Sequence, residues 1–336
     1  VPAIRPPTLD EVAALLPAFA KSEVLVVGDF VADEYVFGET ERISREAPVL
    51  IVRYESSELK AGGAGNAAQN LAALGVRVKV LGVVGDDPLG TALLDELERG
   101  GIDVSGLLRV KGRATEAKTR ILAGGRSTRR QQMIRLDRAA REPLPPALVR
   151  KLAAQAASLG RRADAVLASD YGSGVTGPEV IEALRKVHRA RVPVCVDSRY
   201  ALAQFKGLTM VKPNEVELET ATGLSLAAPN GLERAARALL RQVACEVLLV
   251  TRGRHGMSVF RPGQPPVHLA AHGGLDAVDV TGAGDTVAAA FAAGLAAGGD
   301  ALAAARLANV AGALQVQKPG TATVSRSELA IELQGP

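Results

Sequence analysis

Residues 279–285 read D-V-T-G-A-G-D, and the rest of the chain is arranged around them. An apolar run, Pro265 to Ala271, precedes this stretch, and an alanine-rich helix-like segment, Thr286 to Ala297, follows it. Thr281 is placed to cap the first free amides of that helix. Gly282 and Gly284, with Ala283 between them, permit backbone angles that a Cβ forbids. Successive N–H groups then aim at one point in front of a helix N-terminus. Free amides and the helix dipole together favour an anion there. Asp285 stands at the edge of that point. An acid beside an anion hole suits phosphoryl transfer: the amides hold the phosphoryl group and the carboxylate takes the proton of the attacking hydroxyl. An aspartate in this position also serves as an ordinary first-turn acid, and the stretch alone leaves both readings open.

The composition supports a large enzyme-like core. The chain has 336 residues, enough for one large α/β domain or two smaller ones, and 47% are hydrophobic. Aromatics make up 3% and Trp is absent, so the core is built of Ala, Leu and Val and lacks base-stacking platforms. Forty basic residues against 36 acidic ones give a net charge of +4, a balance that argues against a nucleic-acid partner. Cys195 and Cys245 lie in apolar strand-like runs and read as core residues. No C-x-x-C and no His cluster suggests a metal centre. The start, V-P-A-I-R-P-P, lacks the charged-then-apolar pattern of a signal peptide. The longest apolar stretch, Val287 to Ala297, falls short of the roughly 18 residues of a membrane span. A soluble cytoplasmic protein with no membrane partner is expected.

Outward from the glycine stretch, strands and helices alternate. After a proline-bearing lead-in with one short helix, Glu23 to Val27 reads as a buried parallel strand. Tyr35 to Phe37, Val49 to Tyr54 and Ser57 to Lys60 read as a small antiparallel sheet, and Glu116 to Leu122 with Thr128 to Leu136 as a hairpin through Gly124-Gly125. Ala64 to Leu74 and Pro88 to Arg99 are helical, with a strand at Val76 to Val84 between them. From Leu144 the alternation is regular through to a last helix beginning near Ser325. This order predicts a mostly parallel, doubly wound sheet with helices on both faces. The two β patches, about 34–61 and 115–137, are expected to pair as a lid over the carboxyl ends of the central strands, where open α/β sheets bind ligands.

Other stretches carry possible chemistry. A-G-G-A-G-N-A-A-Q-N, residues 61–70, fits a dinucleotide fingerprint superficially, but the segment before it is polar and lid-like. It reads better as small residues, Gly62 and Gly63 among them, letting backbone approach a polyhydroxyl ligand, with Asn66 offering donor and acceptor together. Asp29 ends a buried strand and Asp33 follows it; each carboxylate can accept from sugar hydroxyls, and Asp33 also fits a turn acid. In K-P-N-E-V-E, residues 212–217, Asn214 suits a helix N-cap and Glu217 the capping-box position. The functional reading has both facing phosphates, with Glu217 holding hydrated Mg2+. Thr251-Arg252-Gly253 and Gly256 fit either a hairpin turn or backbone laid along a nucleotide. No G-x-x-x-x-G-K-[ST] occurs, which excludes a P-loop. The β patches are rich in cations, Lys60, Lys118, Arg120, Arg126, Arg129, Arg130 and Arg135, with Lys118 and Arg120 on one face. Arginine suits bidentate phosphate contact, so a phosphorylated sugar is expected, although lid arginines also serve as solvated surface and some must, since alternate side chains of a strand face opposite ways.

Taken together, residues 61–75, N-E-V-E at 214–217 and D-V-T-G-A-G-D resemble the motifs of the ribokinase-like pfkB carbohydrate kinases, over about residues 23–325. Within that family the chain looks most like the branch acting on D-glycero-β-D-manno-heptose 7-phosphate. The carriers are G-D-F-V-A-D-E-Y-V-F-G at 28–38, R-I-S-R-E-A-P-V at 42–49, M-I-R-L-D at 133–137 and A-S-D-Y at 168–171. The resemblance implies a single ribokinase-like domain over 1–336 and transfer of the ATP γ-phosphate to the anomeric hydroxyl. It implies Asp285 as base and Gly282, Ala283 and Gly284 as anion hole. Asn214, Glu215, Val216, Glu217, Thr251, Arg252, Gly253, Gly256 and Asn309 would be nucleotide-side, with Mg2+ at Glu217 and a monovalent cation such as K+ as a further cofactor. Asp29, Asp33, Gly62, Gly63, Asn66, Lys118, Arg120, Asp137 and Asp170 would be sugar-side. V-D-S-R at 196–199 and Arg45 depart from that branch, so a kinase for another sugar such as fructose or ribose is the alternative, and a dinucleotide-dependent oxidoreductase a minor one. With Pro336 last, no nucleotidyltransferase domain is expected after the kinase. An exposed lid edge suggests a homodimer.

Overall fold

The computed structural model describes residues 5–125, 130–140, 142–274 and 277–334. The strands are β1 (Glu23–Gly28), β2 (Phe30–Ile43), β3 (Leu50–Gly63), β4 (Arg77–Gly85), β5 (Asp103–Val110), β6 (Ala117–Gly124), β7 (Gln131–Arg138), β8 (Ala165–Asp170), β9 (Val194–Ser198), β10 (Met210–Val211), β11 (Val247–Thr251), β12 (Met257–Phe260) and β13 (Val267–Leu269). The helices are α1 (Leu9–Ala13), α2 (Ala64–Ala73), α3 (Pro88–Arg99), α4 (Pro146–Gly160), α5 (Pro178–Arg189), α6 (Glu215–Thr222), α7 (Gly231–Val243), α8 (Ala283–Ala296), α9 (Ala301–Gln315) and α10 (Arg326–Gln334).

Side-chain alternation explains the main sheet. In β1, Val24 and Val26 enter one core while Leu25 and Val27 enter the other. β8 and β11 repeat the pattern, with Leu167 and Leu249 on the first side and Val166 and Leu248 on the second. Strands apolar on both faces need helices on both faces. The sheet runs β13-β12-β11-β10-β9-β8-β1-β4-β5, parallel from β11 through β5, with β12 and β13 antiparallel at one edge. Helices α1, α2, α3, α8, α9 and α10 cover one side; α4, α5, α6 and α7 cover the other. The expected doubly wound architecture is found, and both cysteines are buried in it. Among the described residues no helix is long and apolar enough to cross a membrane.

A second sheet, ordered β3-β2-β6-β7, is the lid. β2 pairs antiparallel with β3, and β6 with β7, while β2 and β6 join the two hairpins in parallel. The short strands anticipated between Tyr35 and Lys60 are in fact two strands of 14 residues each. Register shifts at Phe37/Gly38 and Thr40/Arg42 interrupt the alternation that would have revealed their length. Arg126 and Arg129, and the start of the expected second strand of the hairpin, lie outside the described residues. β5 was not anticipated at all: D-V-S-G-L-L-R-V, at the sheet edge, buries only Gly106 and Leu107 and so lacks a clear period.

Candidate active site

The carboxyl ends of β8, β9, β10 and β11 and the N-terminus of α8 surround a cleft of about 740 Å³. This is where a parallel α/β sheet presents its ligand site. Asp285, in the first turn of α8, lies on the cleft wall and is 6% exposed. Each of its oxygens accepts one hydrogen bond. Asn66 Nδ2, from α2, donates to Oδ2 at 2.7 Å, and Tyr171 Oη donates to Oδ1 at 2.8 Å. Asn66 is itself seated by the next turn of its helix: Asn70 Nδ2 donates to Asn66 O at 2.9 Å, and Thr286 Oγ1 donates to Asn70 Oδ1 at 2.9 Å.

Burial, reinforced by the charge of Asp197, pushes the Asp285 carboxyl up to about 6, against the bonds from Asn66 and Tyr171 and the nearby Lys212. A carboxylate with that pKa is ionised at neutral pH yet a competent proton acceptor. Lys212 and Asp197 form a buried ion pair at 3.0 Å. Burial opposes charge on both, but at Lys212 the carboxylates of Asp197, Glu217 and Asp285 together outweigh it and the ammonium is held charged. A Cβ placed on Gly284 would sit 3.5 Å from Lys212 Nζ, so this cation lies directly beside the glycine loop.

The loop itself departs from expectation at two residues. Thr281 does not cap α8; Gly282 occupies the N-cap with φ 81° and no side chain caps the helix. An N-cap side chain reaches the N2 or N3 amide only from extended backbone, and this left-handed position favours glycine. Ala283 N turns back to Val280 O at 3.2 Å. Among the described residues, the amides of Gly282, Gly284 and Asp285 at this helix start have no acceptor within the chain and are left for an anion.

The residues expected on the nucleotide side are brought together from separate strands. Asn214 forms a parallel bridge with Thr251, and Arg252 Nε meets Glu215 Oε1 at 3.3 Å, so the segments after β10 and β11 lie side by side. Arg252 is turned onto Glu215, while Thr251, Gly253 and Gly256 line the cleft. Asn309, from α9, lines the opposite side and donates to Ala270 O. The capping box at the start of α6 is complete: Glu217 N donates to Asn214 Oδ1 and Asn214 N to Glu217 Oε2, each at 2.8 Å. Glu217 nonetheless lines the cleft, and burial raises its pKa. Val216 and Val280, both exposed, add apolar surface to the walls.

On the sugar side the picture is mixed. Lys118 Nζ sits 5.6 Å from the centroid of the Tyr171 ring, so the lid face carrying Lys118 looks onto the residue that contacts Asp285. Strand register puts Asp33, Tyr35, Lys60, Arg120, Arg135 and Asp137 on that same face. Most of these charges neutralise each other. Arg120 meets Asp33 at 2.6 Å, and exposed Asp137 pairs with Arg135 at 2.8 Å. Lys118 has no carboxylate partner among the described residues. Gly62 leaves room for Asp33, whose Oδ2 would lie 2.2 Å from a Cβ there. Gly63, at φ 58°, is the N-cap of α2, and a Cβ there would lie 2.5 Å from Asp29 O. Two of the expected sugar carboxylates are occupied. Both Asp29 oxygens accept backbone amides of the loop after β8, and Asp170 accepts from Thr176 Oγ1 and Ser198 Oγ. A buried carboxylate needs such donors, and all of these but Thr176, six residues from Asp170, came from chain segments too remote to read in sequence. The strand before Gly62 belongs to the lid and is largely exposed, unlike the buried strand a dinucleotide fingerprint requires.

Three groups at the heart of the site were not foreseen: Tyr171, Asp197 and Lys212. The available signal was a charged or hydroxyl-bearing residue within a step or two of the carboxyl end of each of three adjoining strands, β8, β9 and β10.

A pfkB family carbohydrate kinase model matches residues 21–328. The bifunctional protein HldE of Geobacter sulfurreducens is 41% identical over 307 residues, which are 91% of this chain and 61% of that protein. The HldE of Methylococcus capsulatus is 44% identical over 326 residues, 96% of this chain and 66% of that protein. The chain thus spans about three fifths to two thirds of the length of these relatives. Among solved structures, Arabidopsis thaliana ribokinase complexed with ribose and ATP superposes with a TM-score of 0.73 at 23% identity, covering 94% of this chain and 99% of that one. Phosphofructokinase-2 from Escherichia coli in complex with potassium gives 0.72 at 18% identity, covering 92% and 96%.

Proposed function

The chain belongs to the pfkB family of carbohydrate kinases, and from that premise we propose that it transfers the ATP γ-phosphoryl group to the anomeric hydroxyl of D-glycero-β-D-manno-heptose 7-phosphate. One observation carries the chemistry: a buried carboxylate, raised to about 6, in the first turn of a helix whose start leaves amides, those of Gly282 and Gly284 among them, for an anion. Asp285 accepts the proton of the attacking hydroxyl. The amides of Gly282 and Gly284, with Lys212 beside them, hold the transferring group as its charge develops. Val216 and Val280 offer apolar surface to the adenine ring, and Asn214, Glu217 and residues 251–256 flank the triphosphate.

The residues fit the implied cations. Glu217 Oε2 is committed to the helix cap, which leaves Oε1 to hold hydrated Mg2+, an ion that keeps most of its waters. Bound there, Mg2+ neutralises triphosphate charge. Near Gly282, the buried oxygens Gln315 Oε1 and Thr321 Oγ1 lack hydrogen-bond partners among the described residues, and Thr281 O and Gly320 O lie on the same Gln315 amide. Such an oxygen-rich corner suits K+.

Support for a phosphorylated acceptor is Lys118, a cation over the Tyr171 ring with no carboxylate partner among the described residues, together with the HldE relatives. The outer lid face exposes Ile134 and Leu136, with Ile43, Leu50 and Tyr54 exposed elsewhere on the lid, which supports a homodimer through this sheet. The deciding assay is kcat/KM for the heptose 7-phosphate against the free heptose, fructose 6-phosphate and ribose. The phosphorylated heptose is expected to lead, by a margin that shrinks at high salt. Equal values with and without the 7-phosphate overturn the assignment.

A further inference from the structure

Asp29 has a use other than sugar binding. It is 1% exposed, and its Oδ2 accepts from Tyr171 N at 2.8 Å and Ser173 N at 3.0 Å, its Oδ1 from Val175 N at 3.3 Å. Alternate amides aimed at one point make an anion nest, and here the chain's own carboxylate fills it. The loop so gathered carries Tyr171, whose hydroxyl is on Asp285 Oδ1 and whose ring lies under Lys118 of the lid. A Cβ on Gly63 would be 3.5 Å from that ring, so the tyrosine also packs against the glycine loop that starts α2. One side chain therefore touches the base, the lid and the loop before Asn66.

Building on the reading of Asp285 as the base, we propose that Tyr171 is a positioning residue for phosphoryl transfer, orienting the Asp285 carboxylate through its hydroxyl and linking it to the lid through its ring, with Asp29 as the anchor that holds Tyr171 in place. A carboxylate gripped at both oxygens, by Asn66 and Tyr171, does not turn about its last bond. Its remaining lone pairs then face one direction, as proton transfer in a fixed geometry demands. Tyr171 stays a donor throughout the working pH range, because burial and the Asp285 charge push its hydroxyl well above 10. The other charged groups bearing on Asp285 are Asp197 from β9 and Lys212 after β10; α2 contributes the neutral Asn66.

The test compares pH profiles of kcat/KM for Tyr171→Phe, Asp29→Asn and Asp285→Asn. Tyr171→Phe keeps the ring under Lys118 and removes only the hydroxyl. The expected result is about a tenfold fall in kcat/KM, the kinetic equivalent of one hydrogen bond. The KM for ATP should stay within about twofold, since a positioning role acts on kcat. The acidic limb should move to higher pH, because a bond favouring the ionised carboxylate is lost. Asp29→Asn should move the limb the same way and lower Tm. The double variant should move it no further than Tyr171→Phe alone. A Tyr171→Phe enzyme with the unmodified rate and limb overturns the proposal, as does an Asp29→Asn shift that adds to it. If Asp29→Asn does not fold, the phenylalanine variant alone decides. Failure of the underlying reading looks different: Asp285→Asn would then turn over near normally, whatever Tyr171→Phe does.

Discussion

Asp285 is 6% exposed and carries its negative charge among two neutral donors, one carboxylate and one ammonium. Asn in its place keeps the shape and the hydrogen bonds, since its amide can donate to Tyr171 Oη while its oxygen accepts from Asn66. It cannot take a proton, so kcat should fall about 10²–10⁴-fold with ATP binding little changed. Stability should move the opposite way. The folded-state pKa of about 6 lies above the ordinary aspartate value, so the folded chain binds a proton that the unfolded chain does not between those two pH values. Ionising this group costs the folded state about 3 kcal/mol once pH exceeds 6. Asp285→Asn should thus melt higher than the unmodified chain at pH 8. The advantage should shrink as pH falls from 6 towards 4. A variant less stable at pH 8, by a gap that ignores pH, contradicts this account. Lid cations divide similarly on inspection of single residues. Lys118→Ala should raise the KM for the sugar phosphate roughly tenfold, the order expected for a charged hydrogen bond. Arg120→Ala strips Asp33, 7% exposed, of its cation and should cost about 1–3 kcal/mol of stability instead. Steady-state kinetics and thermal melts on the two variants separate these outcomes.

Helix α6 shows one element meeting two demands. The Asn214–Glu217 pair was legible in sequence both as a capping box and as a magnesium site, and the geometry lets each proceed from a different carboxylate oxygen. Glu217→Gln can still accept from Asn214 N, so melting should change by no more than about 0.5 kcal/mol. Its Mg2+ requirement should rise several-fold, and an unchanged magnesium titration removes the metal role. Elsewhere, legibility followed burial. Pro88–Arg99 was read at its true bounds because a proline opens it and an apolar stripe runs through it. β5 and the full lengths of β2 and β3 were missed because strands with one wet face, bulges or an edge position have no uninterrupted period. Thr281 was misassigned for a related reason: a helix can be capped by backbone conformation alone, and nothing in the residue type declares it.

For the whole molecule, the doubly wound sheet and its lid were legible because alternation of element types leaves few topologies. The site was legible only as separate segments. The bonds that join them, Asn66 to Asp285 and Tyr171 to Asp285 and Asp29, span from 114 to 219 residues of chain, and no local pattern encodes such meetings. Assembly is testable at this scale. If two lids pair, Ile134→Lys with Leu136→Lys should convert a dimer to a monomer in sedimentation while leaving the melting of the main sheet in place. A monomeric unmodified chain ends that reading.

The lid has one further consequence. β2 leaves the main body two residues after β1 ends, and β3 returns directly into α2, with Phe30–Asp33 and Ala61–Gly62 buried at the root. No linker stands between the β2–β3 hairpin and the scaffold, so this ribbon is a cantilever rather than a door on a hinge. A load at its tip bends the ribbon at its register shifts and is felt at its clamp. The clamp is the first turn of α2, where Asn66 grips the base.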